Sequence, residues 1–205
     1  MTTSDRNRTA TVGVTEHGNS AVLVTISADT RLLDRRNVDL TKNLPTHPYH
    51  HQGSWAVGRY TDSPWAKEIS LPDAIALVEE VEAAATAGAR QVLDELVESV
   101  AEPIGAIAIR ECPELPPTIE ERIRDNRAQT MADTVMYRKA LAAAAHERGW
   151  AVRWYDKACV FEDASDRLDT DAKTAIAALG KAAGPPWQAT HKLAAAAAIA
   201  AARPS

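Results

Sequence analysis

Cysteine is scarce in this chain: Cys112 and Cys159 are its only two. They stand far apart and lack a CxxC partner, which excludes a disulfide framework and points to a reducing compartment. Phenylalanine occurs once, so the core must be built from aliphatic residues, with five tryptophans as its large anchors. Long apolar runs are missing as well. A membrane span needs ~20 consecutive apolar residues, and the apolar stretch over residues 193–202 reaches about half of that. The opening MTTSDRNRTA has no apolar signal core. The expectation is a cytoplasmic protein without membrane contact. Basic excess is also lacking: the net charge of −5 argues against a non-specific nucleic-acid binder. It leaves room for a local basic patch.

What is present reads as alternating strands and helices. Residues 1–8 are expected to be disordered, and residues 9–202 to form one domain. Residues 9–14 and 21–27 are rich in β-branched side chains, and the Gly18-Asn19 turn between them predicts a hairpin. Partial alternation over residues 31–40 adds a third antiparallel strand. Residues 43–69 form a long loop with His, Trp and Pro in abundance, and loops of that length tend to be functional. Ser70, followed by Pro72 and Asp73, has the pattern of a helix start. Pro103 ends that helix, and the apolar run over 104–109 predicts a strand buried on both faces. A charged helix over 118–128, a stronger helix over 131–148 and a strand over 151–155 follow. Residues 162–171 read as acidic loop. Helices over 171–179 and 189–202, separated by Gly184-Pro185-Pro186-Trp187, complete the chain. The fold class is therefore α/β: a mixed five-stranded sheet, three strands antiparallel and two entered through crossover helices, with helices on both faces.

This order resembles the RNase H-like superfamily and, within it, the bacterial RuvC-type Holliday-junction resolvases. Val12-Gly13-Val14 leading to Gly18 is similar to the resolvase first strand and its glycine turn. The run from Ile107 to Glu111 resembles a fourth strand ending in a metal-binding glutamate. Gly149 to Val152, continuing through Tyr155, Lys157 and Val160 to Lys173, resembles the fifth strand and the approach to the last helix. The resemblance implies a divalent-metal-dependent nuclease that cleaves structured nucleic acid. The chain departs from the pattern at three places. The first strand ends in Thr15 and Glu16 where the family has Asp. Arg110 separates Glu111 from the apolar run, and a shift of one residue turns a strand side chain to the other face. The last helix opens with His191 and no acid.

Several residues are candidates for chemistry. Glu16, Glu111 and His191 are the implied metal ligands and catalytic groups, and two carboxylates suit Mg²⁺ or Mn²⁺. Solvated acids at strand ends and a helix-capping histidine are the competing account. His47, His50 and His51 could instead hold Zn²⁺ with an open coordination position, or pack as a loop against Trp55 and Trp65. Arg124, Arg127, Arg138 and Lys139 are candidates for phosphate contacts. Glu120, Glu121, Asp125 and Asp133 interleave with them, and pairing on a solvated helix would account for both sets. Three readings stay open: a metal-dependent nuclease, a catalytically degenerate RNase H-like scaffold that binds protein or nucleic acid, and a zinc hydrolase built on the histidine loop. A homodimer packed along the helix over 70–99 is the expected assembly if there is one.

Overall fold

The computed structural model describes residues 9–51 and 69–202. Trp55, Trp65 and the side chain of His51 lie outside the described residues. Five strands form one sheet in the order β3-β2-β1-β4-β5. They are β1 (Ala10–His17), β2 (Ser20–Ile26), β3 (Leu32–Asp39), β4 (Ile104–Arg110) and β5 (Ala151–Tyr155). The β1–β2 and β2–β3 pairs are antiparallel, while β1–β4 and β4–β5 are parallel. This is the mixed sheet that the sequence predicts. Gly18, with φ 56°, makes the hairpin turn between β1 and β2, a backbone state that side-chain-bearing residues rarely adopt.

Helices cover both faces. One face carries α1 (Leu71–Ser99), the short α2 (Ile119–Arg124) and α3 (Asn126–Glu147); the other carries α4 (Val160–Leu168), α5 (Ala172–Ala183) and α6 (Ala189–Ala201). Alternation along the central strands assigns side chains to the two layers. Val12, Val14, Ile107 and Ile109 pack against Leu93, Leu96, Tyr137 and Leu141 of α1 and α3. Ala108 and the β2 residues Val24 and Ile26 pack against Val160, Ile176 and the alanines of α6. A third cluster joins Tyr49, Val78, Ile123 and Ala132 beneath the turn that follows β3.

Local signals explain most boundaries. Ser70 Oγ accepts from the Asp73 backbone N–H at the start of α1. Thr118 and Glu121 form a capping box on α2. Two expectations need correction. The helix expected over 131–148 starts at Asn126, because the Asp125 carboxylate accepts from the N–H groups of Arg127 and Ala128 and restarts the helix there. The stretch expected as acidic loop is α4: Val160 and Ala164, one turn apart, are buried against α6, and Glu162 and Asp163 favour its first turn.

Small residues let α6 approach the sheet closely. A Cβ added at Gly13 would overlap the Ala194 carbonyl oxygen, and the alanine-rich face of α6 leaves no wider gap to absorb it. Gly13→Val is expected to destabilise the protein by roughly 3 kcal/mol or more, since over-packing against backbone cannot relax by a rotamer change. Urea unfolding checks this; an unchanged midpoint would refute the tight β1–α6 contact.

Candidate functional site

The C-terminal ends of the three parallel strands, β1, β4 and β5, open onto one cleft system beside the first turn of α6. In open α/β sheets this is where ligands bind. One part, lined by Glu16, Arg110, Glu111, Cys112, Arg138 and Asp156, has a volume of about 580 Å³. The other, of about 520 Å³, is lined by Thr15, Arg110, Tyr155 and Lys157 with Thr190 and Lys192 of α6. Tyr155 helps close the floor: its hydroxyl donates to the Val14 carbonyl at 2.8 Å, and burial pushes its pKa up to about 12.

Glu16 follows the alternation that buries Val12 and Val14, so its side chain points toward α3. There Arg138 donates from Nε to Glu16 Oε1 at 2.7 Å, and its second terminal nitrogen lies 2.5 Å from the same oxygen. Both side chains are buried, at 6% and 3% exposure. Arg138 Nη1 also donates to the Glu111 carbonyl at 2.6 Å. The Glu111 N–H extends the β4–β5 ladder by donating to Tyr155 O at 3.0 Å. Glu16 and Glu111 therefore line the same cleft, with a guanidinium between the carboxylate of one and the backbone of the other.

His191 lies elsewhere. Its ring is buried against Trp187, with centroids 5.8 Å apart, and its Nδ1 accepts from the Gln188 backbone N–H at 3.3 Å. Desolvation, then the charge of Arg35, holds its pKa below the ordinary value. The residues of α6 that reach the cleft are Ala189, Thr190, Lys192 and Leu193. His191 thus serves the capping alternative, and the structure does not bring it to Glu16 and Glu111.

The Mg²⁺ or Mn²⁺ pair implied by the resolvase resemblance needs several oxygen ligands around two ions ~3.5–4 Å apart. Three carboxylates line the cleft at these strand ends, Glu16, Glu111 and Asp156, and of them Glu111 alone has no hydrogen-bond or ion-pair partner among the described residues. The Glu16 carboxylate is committed to Arg138. Asp156 Oδ1 accepts from the Ala158 N–H at 2.8 Å in the turn after β5. On the α6 side of the cleft stand Thr15, Arg110, Lys157 and Lys192, which are neutral or cationic.

The expected phosphate-contacting residues also separate. Arg138 is buried in its ion pair. Arg124 is paired with Glu120 at 2.9 Å. Arg127 and Lys139 are exposed. By contrast, Arg110, Lys157 and Lys192 are exposed, and none of them takes part in an ion pair among the described residues. Sequence reading missed these three as a set, although Arg110 stood out as the residue displacing Glu111. Burial pushes the Cys112 thiol up, and the charge of Asp156 does the same for Cys159.

A second cluster lies on the α3 side. His47, the 3-10 turn Pro48–His51 and α3 bring the imidazoles of His47 and His50 to the Asp133 carboxylate. Asp133 is 1% exposed, which corrects its assignment to a solvated helix face. Its hydrogen-bond interaction raises the pKa of His47.

Compared with known proteins, the chain matches no family model and no curated protein sequence. Among solved structures it is similar to Thermus thermophilus RuvC in complex with Holliday junction substrate, at 14% identity and a TM-score of 0.49, covering 94% of this chain and 91% of that one. It is also similar to a second Thermus thermophilus RuvC structure, at 12% identity and a TM-score of 0.45, covering 93% and 92%.

Two predictions test this geometry. Glu16→Gln and Arg138→Met are each expected to destabilise the fold by about 3–5 kcal/mol, because each leaves the other group buried without its partner. Glu16→Gln combined with Arg138→Met should cost less than the sum of the two; additive losses in denaturant unfolding would mean that the pair is not coupled. In metal-free protein, NMR titration should find His47 above and His191 below the ordinary histidine value of about 6.5. The signs differ accordingly. The contribution of His47 to stability is complete below about 6.5 and lost as pH rises through its raised pKa. That of His191 is complete above about 6.5 and lost as pH falls through its lowered pKa. Titration of both at one common value would contradict the environments described.

Proposed function

We propose that this chain is an RNase H-like nucleic-acid-binding module that holds backbone phosphate in the cleft between β1, β4, β5 and α6, without a two-metal hydrolytic centre there. One observation carries the reading: Arg110, Lys157 and Lys192, from three different elements, line one cleft and have no ion-pair partner among the described residues. Other arginines, including Arg31, Arg36, Arg90 and Arg148, are paired with acids. Arg138 neutralises Glu16, so that carboxylate opposes an anion only weakly. The first turn of α6 adds backbone N–H groups and the positive end of a helix dipole, both of which favour phosphate. Phe161 and Tyr155 line the same cleft and supply apolar surface beside the charges.

The mechanism is recognition. The arginine presents a planar fork to phosphate oxygens, and the two lysines act as mobile point charges. The acidic protein as a whole repels a polyanion, so binding is confined to this cleft instead of spreading over the surface. Hydrolysis would require a Lewis acid and an activated water; of the acids lining this end of the sheet, Glu16 is held by Arg138 and Asp156 by the turn after β5, which leaves Glu111 as the carboxylate without a partner among the described residues.

Fluorescence anisotropy with a labelled junction, duplex and single strand tests the reading. Binding should weaken as salt rises, and Arg110→Glu combined with Lys192→Glu should weaken it for every sequence. Each lost phosphate contact lowers the salt slope by about 1. No strand should be cut in Mn²⁺ or Mg²⁺. Unchanged affinity in the charge-reversed protein would sink the cleft as the binding site, and cutting abolished by Glu111→Gln would restore the nuclease.

A further inference from the structure

The His47–His50–Asp133 cluster shares no residue with the set Arg110, Lys157 and Lys192 that carries the phosphate reading. Its construction begins in the local backbone. Pro48–His51 is a 3-10 turn, and the His50 N–H donates to the His47 carbonyl at 3.2 Å. Residues three apart in such a turn project from one side, so the two imidazoles stand next to each other, with ring centroids 5.5 Å apart. The turn is fastened at both ends. Tyr137 of α3 donates its hydroxyl to the Thr46 carbonyl at 3.2 Å. Tyr49 is buried in the third core cluster, and its hydroxyl accepts from Arg122 at 3.3 Å.

Asp133 completes the arrangement from below. The Tyr49 backbone N–H donates to Asp133 Oδ1 at 3.3 Å, which fixes the carboxylate rotation and turns Oδ2 toward both rings. That oxygen lies 3.4 Å from His47 Nδ1 and 3.4 Å from His50 Nδ1. One ligand atom from each of the three residues lies within 4.8 Å of the other two.

These lengths suit two uses, a long hydrogen bond in the metal-free protein and shared coordination of an ion. A charge-assisted N–H···O bond is ~2.7–2.9 Å long, and neither imidazole approaches that closely. Two donor atoms that share a tetrahedral ion at ~2.0–2.1 Å stand ~3.4 Å apart, which is the separation found twice. The side-chain exposures fit the same picture: Asp133 and His50 are enclosed at 2% and 10%, while His47 is 40% exposed and opens the cluster to solvent.

We infer that His47, His50 and Asp133 form a binding site for a zinc-class divalent ion, with a fourth position open to water. Two imidazoles and one carboxylate favour zinc and its first-row neighbours over magnesium, which prefers an all-oxygen shell. The Tyr49 N–H supplies the outer contact that orients the carboxylate ligand. Asp133 joins His47 and His50 of the triple-histidine set that the sequence suggested, while the side chain of His51 lies outside the described residues. Spacing alone favours His51, whereas the fold delivers a carboxylate from a helix far along the chain.

The test uses the full-length chain, purified without a histidine tag and stripped with chelator. Zinc should rebind at one ion per chain and raise the melting temperature, and Co²⁺ should give the intense visible bands of a four-coordinate site. His47→Gln, which changes a partly exposed residue, should weaken zinc binding by more than the ~10–100-fold typical of losing an outer-shell partner. Asp133→Asn should do the same, with circular dichroism confirming that the variant folds. Glu111→Gln should leave zinc binding unchanged, which separates this site from the strand-end cleft. Folded protein that takes up no Co²⁺ overturns the inference, as does zinc affinity unaffected by His47→Gln.

Discussion

Side-chain alternation along β1 and β4 decides what this molecule can do. Val12 and Val14 face α1 and α3, so Glu16, two residues on, faces α3 as well. Gly13 faces α6 and leaves Thr15 on that side. On β4, Ile107 and Ile109 take the α3 face, which gives Arg110 to the α6 side. Shifting β4 by one residue would exchange Arg110 for Glu111 on the α6 side, and shifting β1 would exchange Thr15 for Glu16. Such shifts would also drive Val12 and Ile107 out of the core, so packing enforces the register and the register fixes the chemistry.

Helix α3 is the second constraint. It is alanine-rich, yet it buries Gln129, Asp133 and Arg138 along with its apolar residues. A buried charge is tolerated only when paired. Arg138 meets Glu16 at the strand ends, and Asp133 meets two histidines about one and a half turns earlier along the helix. Both polar centres are thus built by one rigid element, one against the end of β1 and the other against the 3-10 turn. That arrangement holds side chains more firmly than loop-to-loop contact would.

Much of the scaffold was legible because it depends on local rules. The Gly18-Asn19 turn, the Ser70 cap and the apolar run before Arg110 each declare a boundary within a few residues, and the meander followed by crossovers leaves few topologies. Helix α4 was obscured because its exposed acids outnumber the buried Val160 and Ala164, so composition outweighed periodicity. Asp133 was obscured for a different reason. Across the charged stretch from Glu120 to Lys139, nothing local marks the one acid whose face meets a turn some eighty residues earlier in the chain. The cationic cleft was half visible: Arg110 was noticed as an interruption, but Lys157 and Lys192 join it only through the packing of β5 and α6.

The Arg138–Glu16 pair bears on how such a sheet can hold an acid without a metal. A carboxylate at the end of a buried strand must be neutralised, and a divalent ion or a guanidinium can both do so. The ion brings open coordination positions and Lewis acidity. The guanidinium brings directed hydrogen bonds, cannot lose its proton in a protein, and spends a further donor on the Glu111 carbonyl, tying β1 to β4 through α3. It therefore replaces reactivity with rigidity while preserving the same sheet. With Glu16 neutralised in this way, Arg110, Lys157 and Lys192 stand around the cleft without an ion-pair partner among the described residues, which is the feature the proposed phosphate binding rests on.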